Sequence, residues 1–116
     1  MPDPSAASQL LPLSTPVFHI LLALGHEPLH GYGIMGALEE KTGGVARILP
    51  GTLYTTLNRM LADGLLEEAP APDDEPDDDR RRRYYRITAL GHEVASAEAR
   101  RMAVLLDVAR RDLTIP

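Results

Sequence analysis

The 116-residue chain has no cysteine, no tryptophan, one phenylalanine and four tyrosines. Without cysteine there are no disulfides, thiolate metal sites or thiol nucleophiles, which suits a reducing compartment. With so few aromatics, a core must be built mostly from aliphatic side chains. Long apolar runs are also lacking. The longest, Ile20 to Leu24 with Val17 and Phe18 before it, falls far short of the roughly 20 residues a membrane span needs. The opening MPDPSAASQLLPLS lacks the basic start and apolar centre of a signal peptide. The expectation is a soluble, cytoplasmic protein with no membrane partner. No glycine-rich phosphate loop or H-E-x-x-H pattern occurs, and Ser14 and Ser96 lack a base at a recognisable spacing. No enzyme activity, catalytic residue or cofactor is expected.

The formal net charge of -5 argues superficially against a polyanionic partner, but it is unevenly spread. Six of the 17 acidic residues lie between Asp73 and Asp79, and setting them aside leaves 11 acids against 12 basic residues. Immediately after them come four consecutive arginines, Arg80, Arg81, Arg82 and Arg83. Local sign matters more than the total, because exposed charges are screened beyond about 8 Å at physiological salt.

The hydrophobic spacing predicts four helices and one hairpin. Ser14 or Thr15 with Pro16 begins the first, and Val17, Ile20, Leu21 and Leu24 recur at helical intervals up to Gly25. The second starts near Tyr32 or Gly33 and is stopped by Gly43 and Gly44; Gly36 is read as a close helix–helix contact. In the third, beginning at Pro50, Leu53, Leu57, Met60 and Leu61 make one stripe. Its other face, with Thr55, Asn58, Arg59 and Ala62 and with Thr52 at the edge, is small and polar, unlike an idle face rich in lysine and glutamate. The segments LLEE and RYYRIT read as paired strands, with Tyr85 and Ile87 on one face and Tyr84, Arg86 and Thr88 on the other. Their connection, about residues 69–82, is long and apolar-poor, and its tip is expected to be mobile. A helix over 89–113 follows, with Thr88 as N-cap.

The expected fold is therefore mainly α with a small two-stranded antiparallel ribbon: a winged helix-turn-helix plus a C-terminal helix. Residues 1–13 form an N-terminal extension, 14–88 the winged unit and 89–113 the last helix. Such a unit presents its third helix to the roughly 12 Å major groove of duplex DNA. Three helices and a ribbon cannot easily cover a 24-residue helix about 36 Å long. Its stripe of Val94, Met102, Leu105, Leu106 and Ala109 is thus read as a homodimer seam. Two recognition helices related by a two-fold axis would meet a pseudo-palindromic operator.

The segments HGYGI, PGTLYTTLNRMLADGLLEE and RRYYRITALGHE, in this order over roughly residues 12–95, resemble the PadR family of bacterial transcriptional regulators. The resemblance implies a winged-helix DNA-binding domain, a dimer formed largely through the C-terminal helix, and usually repression; the single C-terminal helix is similar to the compact form of the family. Two departures stand out. The wing loop is longer and far more acidic than the short basic wing typical of the family. The C-terminal helix has no tryptophan, so the flat aromatic platform of some compact members is not evident.

On this reading Thr52, Thr55, Asn58 and Arg59 face DNA: threonine suits several bases, asparagine suits adenine, and arginine suits guanine or phosphate. Tyr54 either packs inward or sends its hydroxyl to a phosphate. Tyr32 either reaches a phosphate at its helix start or simply packs beside His30. Arg80 to Arg83 hold the DNA backbone, while the acidic tip competes for them. A small-molecule effector is a further candidate partner. Two other readings stand beside this one: a winged-helix protein-interaction module that binds no DNA, and a metal-responsive regulator using His19, His26, His30 and His92. The interruption by Pro28 between His26 and His30 speaks against the metal reading.

Overall fold

The computed structural model describes residues 7, 9–76 and 81–113. Helix α1 spans Thr15–Leu24, with Ser14 as N-cap, proline in its first turn and Gly25 as C-cap. Strand β1 is only Leu29–His30. Helix α2 runs Gly31–Lys41, and the imidazole Nδ1 of its N-cap His30 accepts the Gly33 N–H at 3.0 Å. Helix α3, Pro50–Ala62, begins with proline, whose missing N–H costs nothing in a first turn. Strands β2 (Leu66–Ala69) and β3 (Tyr84–Ile87) form the wing, and helix α4 covers Ala89–Asp112. The four expected helices and the wing pair are present.

Three features depart from the sequence reading. The sheet has three antiparallel strands in the order β1-β3-β2, not two. Pairing of Leu29 with Tyr85 and of His30 with Tyr84 makes β3 the central strand. That explains why Tyr84 and Tyr85 are both buried, although alternation places them on opposite faces. Finally, Gly36 is exposed with open space around it, so it mediates no close helix contact.

The core is aliphatic, as the composition requires. Ile20 and Leu24 of α1, Ile34 and Leu38 of α2, and Leu53, Leu57 and Met60 of α3 meet Leu65, Leu66 and Val94. Burying each such side chain contributes roughly 1.5–3 kcal/mol. Val94 is completely buried in its own chain, so it belongs to this core and is separate from the exposed stripe further along α4. The described N-terminal residues also pack inward: Ala7 is buried, and Leu10, Leu11 and Leu13 rest against the core.

Helix α4 changes character along its length. Its first half is anchored. Thr88 accepts the Gly91 N–H at 3.1 Å and donates its hydroxyl to the Gly64 carbonyl at 2.6 Å. Gly91 lies so close to the Leu65 carbonyl that a Cβ there would collide with it. Buried Glu98 accepts the Leu13 N–H at 2.6 Å and pairs with Arg101. From Met102 to Leu113 every residue except half-buried Ala109 is exposed, including Leu105 and Leu106. Val104 and Val108, outside the expected stripe, widen this apolar surface. Among the described residues, no helix is long and apolar enough to cross a membrane.

Candidate nucleic-acid interface

Helix α3 buries one side and offers the other. Leu53, Leu57 and Met60 have no exposed surface, whereas Thr52, Tyr54, Thr55, Asn58 and Arg59 are all exposed. The small polar face expected from the sequence is therefore the solvent face. Arg59, with its side chain 81% exposed, lies 3.9 Å from Asp63 one turn later. An exposed pair at that distance holds its arginine weakly. The threonine hydroxyl at position 56 is turned back instead, donating to the Thr52 carbonyl at 2.6 Å.

The wing meets the start of α2 and α3 in one open pocket of about 320 Å³, lined by His30, Gly31, Tyr32, Tyr54, Arg82, Arg83 and Tyr85. The Arg82 guanidinium lies 4.8 Å over the Tyr32 ring. The Arg83 guanidinium lies 5.6 Å from the Tyr85 ring centre and donates Nε–H to Glu68 Oε1 at 2.6 Å. Hydrogen bonding to Glu68 raises the Arg83 pKa above its usual value, so the group stays cationic. Burial pushes the Tyr85 phenol up, against the opposing charge of Arg83, so it stays neutral and can donate. Cations over aromatic faces beside tyrosine hydroxyls and a helix start make a local environment suited to anions.

The expected site residues thus divide. Tyr32, Tyr54, Arg82 and Arg83 come together; Thr52, Thr55, Asn58 and Arg59 line the adjoining exposed helix face; Arg81 is exposed. Arg80 and the acidic residues 77–79 lie outside the described residues. Tyr54, undecided between core and surface, is 45% exposed and opens on the pocket. Sequence reasoning missed Gly31 and Tyr85 as lining residues and Glu68 as the partner of Arg83. The first could have been found from the HGY triplet, had its close approach been assigned to Gly31 instead of Gly36.

The histidines do not assemble. His26 stacks on His92 with ring centres 5.5 Å apart, while His30 caps α2 and meets Tyr84 edge-on. Among the described residues no three metal-ligating side chains come together.

Three helices, a three-stranded sheet with a projecting wing and an open polar helix face define a winged helix-turn-helix protein. Residues 20–97 match the transcriptional regulator PadR-like family, and the chain belongs to it. The fold is similar to that of a transcriptional regulator from Clostridium thermocellum (TM-score 0.67, 20% identity, 97% of this chain and 98% of that one). It is also similar to a PadR family transcription regulator from Clostridium difficile (TM-score 0.69, 21% identity, 86% and 99%). An uncharacterised 37.1 kDa protein in a Streptomyces fradiae transposon is 36% identical over 86 residues. That stretch is 74% of this chain but only 22% of the longer relative.

Proposed function

We propose that the protein is a homodimeric, sequence-specific DNA-binding regulator that represses transcription from a pseudo-palindromic operator. One observation carries the reading: side chains from the start of α2, from α3 and from the wing converge on one cationic, tyrosine-lined pocket beside the exposed polar face of α3. In that arrangement Arg82, Arg83, Tyr32 and Tyr54 take a backbone phosphate and fix the register. Thr52, Thr55 and Asn58 then meet base edges, with Arg59 on guanine or phosphate. Arg81 and Arg80 extend the backbone contact along the wing.

The outer half of α4 pairs with a second copy through Met102, Leu105, Leu106 and Ala109, which sets the spacing of two α3 helices. Residues 14–88 act as the DNA-binding unit and 89–113 as the dimerisation helix. Relief of repression by a small molecule is in keeping with a second cavity of about 310 Å³ between α1 and α4, lined by Phe18, Leu21, Leu22, His26, His92 and Ser96 among others. That is the lower end of the size range for small-molecule pockets.

The test is a gel shift and footprint on the promoter adjacent to the gene, at low and moderate salt. The expected result is a protected two-fold site whose affinity falls with salt. The competing reading, a protein-interaction module, draws on the net charge of -5. It predicts no shift at any salt.

A further inference from the structure

The two strands of the wing neutralise each other in a particular way. Glu67 faces Arg86 directly across the ladder, and their side chains meet at 2.8 Å. Glu68 reaches past its partner Tyr85 to Arg83 at 2.6 Å. All four side chains are about half exposed. Exposed pairs of this kind contribute little to folding, so exchanging their partners costs little. Of the two arginines, only Arg83 lines the Tyr32–Tyr54 pocket.

The geometry points to Glu68 as an internal competitor for DNA phosphate: its carboxylate occupies the Arg83 guanidinium that a backbone phosphate would otherwise take, and so lowers affinity for DNA of any sequence. This rests on the reading of the pocket as a phosphate seat. It moves the competing anion from the acidic tip of the loop to strand β2. The chemistry is a simple exchange. Arg83 presents one Nε–H edge to Glu68 and stays cationic throughout. An approaching phosphate offers the same acceptor geometry with comparable charge. Because backbone contacts carry no sequence information, the competition lowers specific and non-specific binding by about the same factor. Glu68 is on this view a positioning residue acting through Arg83, and it sets the overall affinity without touching a base.

The test uses the full chain and a random-sequence duplex, titrated at low salt. Glu68→Gln should tighten binding about two- to fivefold, the range of one exposed ion pair. Glu67→Gln removes the same charge one residue away and frees an arginine outside the pocket, so it should change binding clearly less. In an Arg83→Ala background Glu68→Gln should have no effect, since the coupling is lost. Equal gains from both glutamate variants, or a gain that survives in the Arg83→Ala background, would mean a general charge effect and overturn the assignment. Weaker binding by Glu68→Gln would overturn it too. If the wild type binds duplex and Glu68→Gln merely matches it, this inference fails alone. A wild type that binds no duplex at any salt removes the DNA reading as well.

Discussion

The hydroxyl of Tyr54 stands 2.5 Å from the point a Cβ on Gly31 would occupy. The start of α2 and the second turn of α3 therefore touch through a tyrosine that needs glycine beneath it. Gly31 has no unusual backbone angle, so the constraint is space alone. Alanine at position 31 should cost about 1 kcal/mol in thermal or chemical unfolding, because the exposed Tyr54 side chain must swing away. In a Tyr54→Ala background the same change should be neutral or stabilising, since alanine favours helix over glycine by up to about 1 kcal/mol. A cost that persists without the tyrosine would place the clash elsewhere.

Asn58 lies in the middle of the exposed face of α3, one turn beyond Tyr54. Asn58→Ala should weaken operator binding by about 1–3 kcal/mol and leave random duplex nearly unchanged. Titration of both duplexes under one salt condition separates the outcomes. Equal losses would take Asn58 out of base recognition.

The outer and inner parts of α4 should respond differently to mutation. Leu105→Glu together with Leu106→Glu places charges on the exposed stretch and should yield monomers in sedimentation, with the helical signal largely kept. Val94→Ala removes a side chain with no exposed surface and should instead cost about 2 kcal/mol of stability. If the double glutamate variant sediments like wild type, the proposed seam on α4 is not a dimer interface.

Glu98 gives a pH signature. The Arg101 hydrogen bond, helped by the Leu13 N–H and opposed by desolvation, holds its carboxyl below the usual 4.5. A carboxylate whose folded pKa is lowered stabilises the protein fully above its unfolded pKa, and the contribution disappears as pH falls through the lower folded value. The stability gap between wild type and Glu98→Gln should therefore be open at about pH 6 and narrow at about pH 3. Denaturant midpoints at the two pH values measure it; a gap that stays constant would assign the Glu98 contribution to packing alone.

Much of this architecture was readable from local pattern. Leu53, Leu57 and Met60 repeat at helical spacing because one side of α3 is buried, and the hydroxyls opposite them are exposed for the same reason. The Thr88 cap was readable because a threonine followed by a long helical pattern is a local chemical signal. What could not be read depended on distant partners. Two residues, Leu29 and His30, are too few to show strand periodicity, and they become a strand only by meeting Tyr85 and Tyr84. Tyr84 is buried for that reason, although it shares a strand face with exposed Arg86. The burial of Glu98 requires Leu13 and Arg101, the first of them 85 positions away. Gly31 and Gly36 look alike in sequence, and only the position of Tyr54 distinguishes the one that must stay small.

The central position of β3 also bears on how the protein stays apart from its neighbours in a crowded solution. A sheet with an open flank can recruit a strand from another chain and begin to aggregate. Here one flank is β1, only two residues long, and the other is β2, where Glu67 and Glu68 stand exposed. A foreign strand approaching β2 would have to add beside two adjacent carboxylates, and one approaching β1 would find almost no ladder to join. The wing can thus project from the body as an accessible ribbon without serving as a template for fibrils.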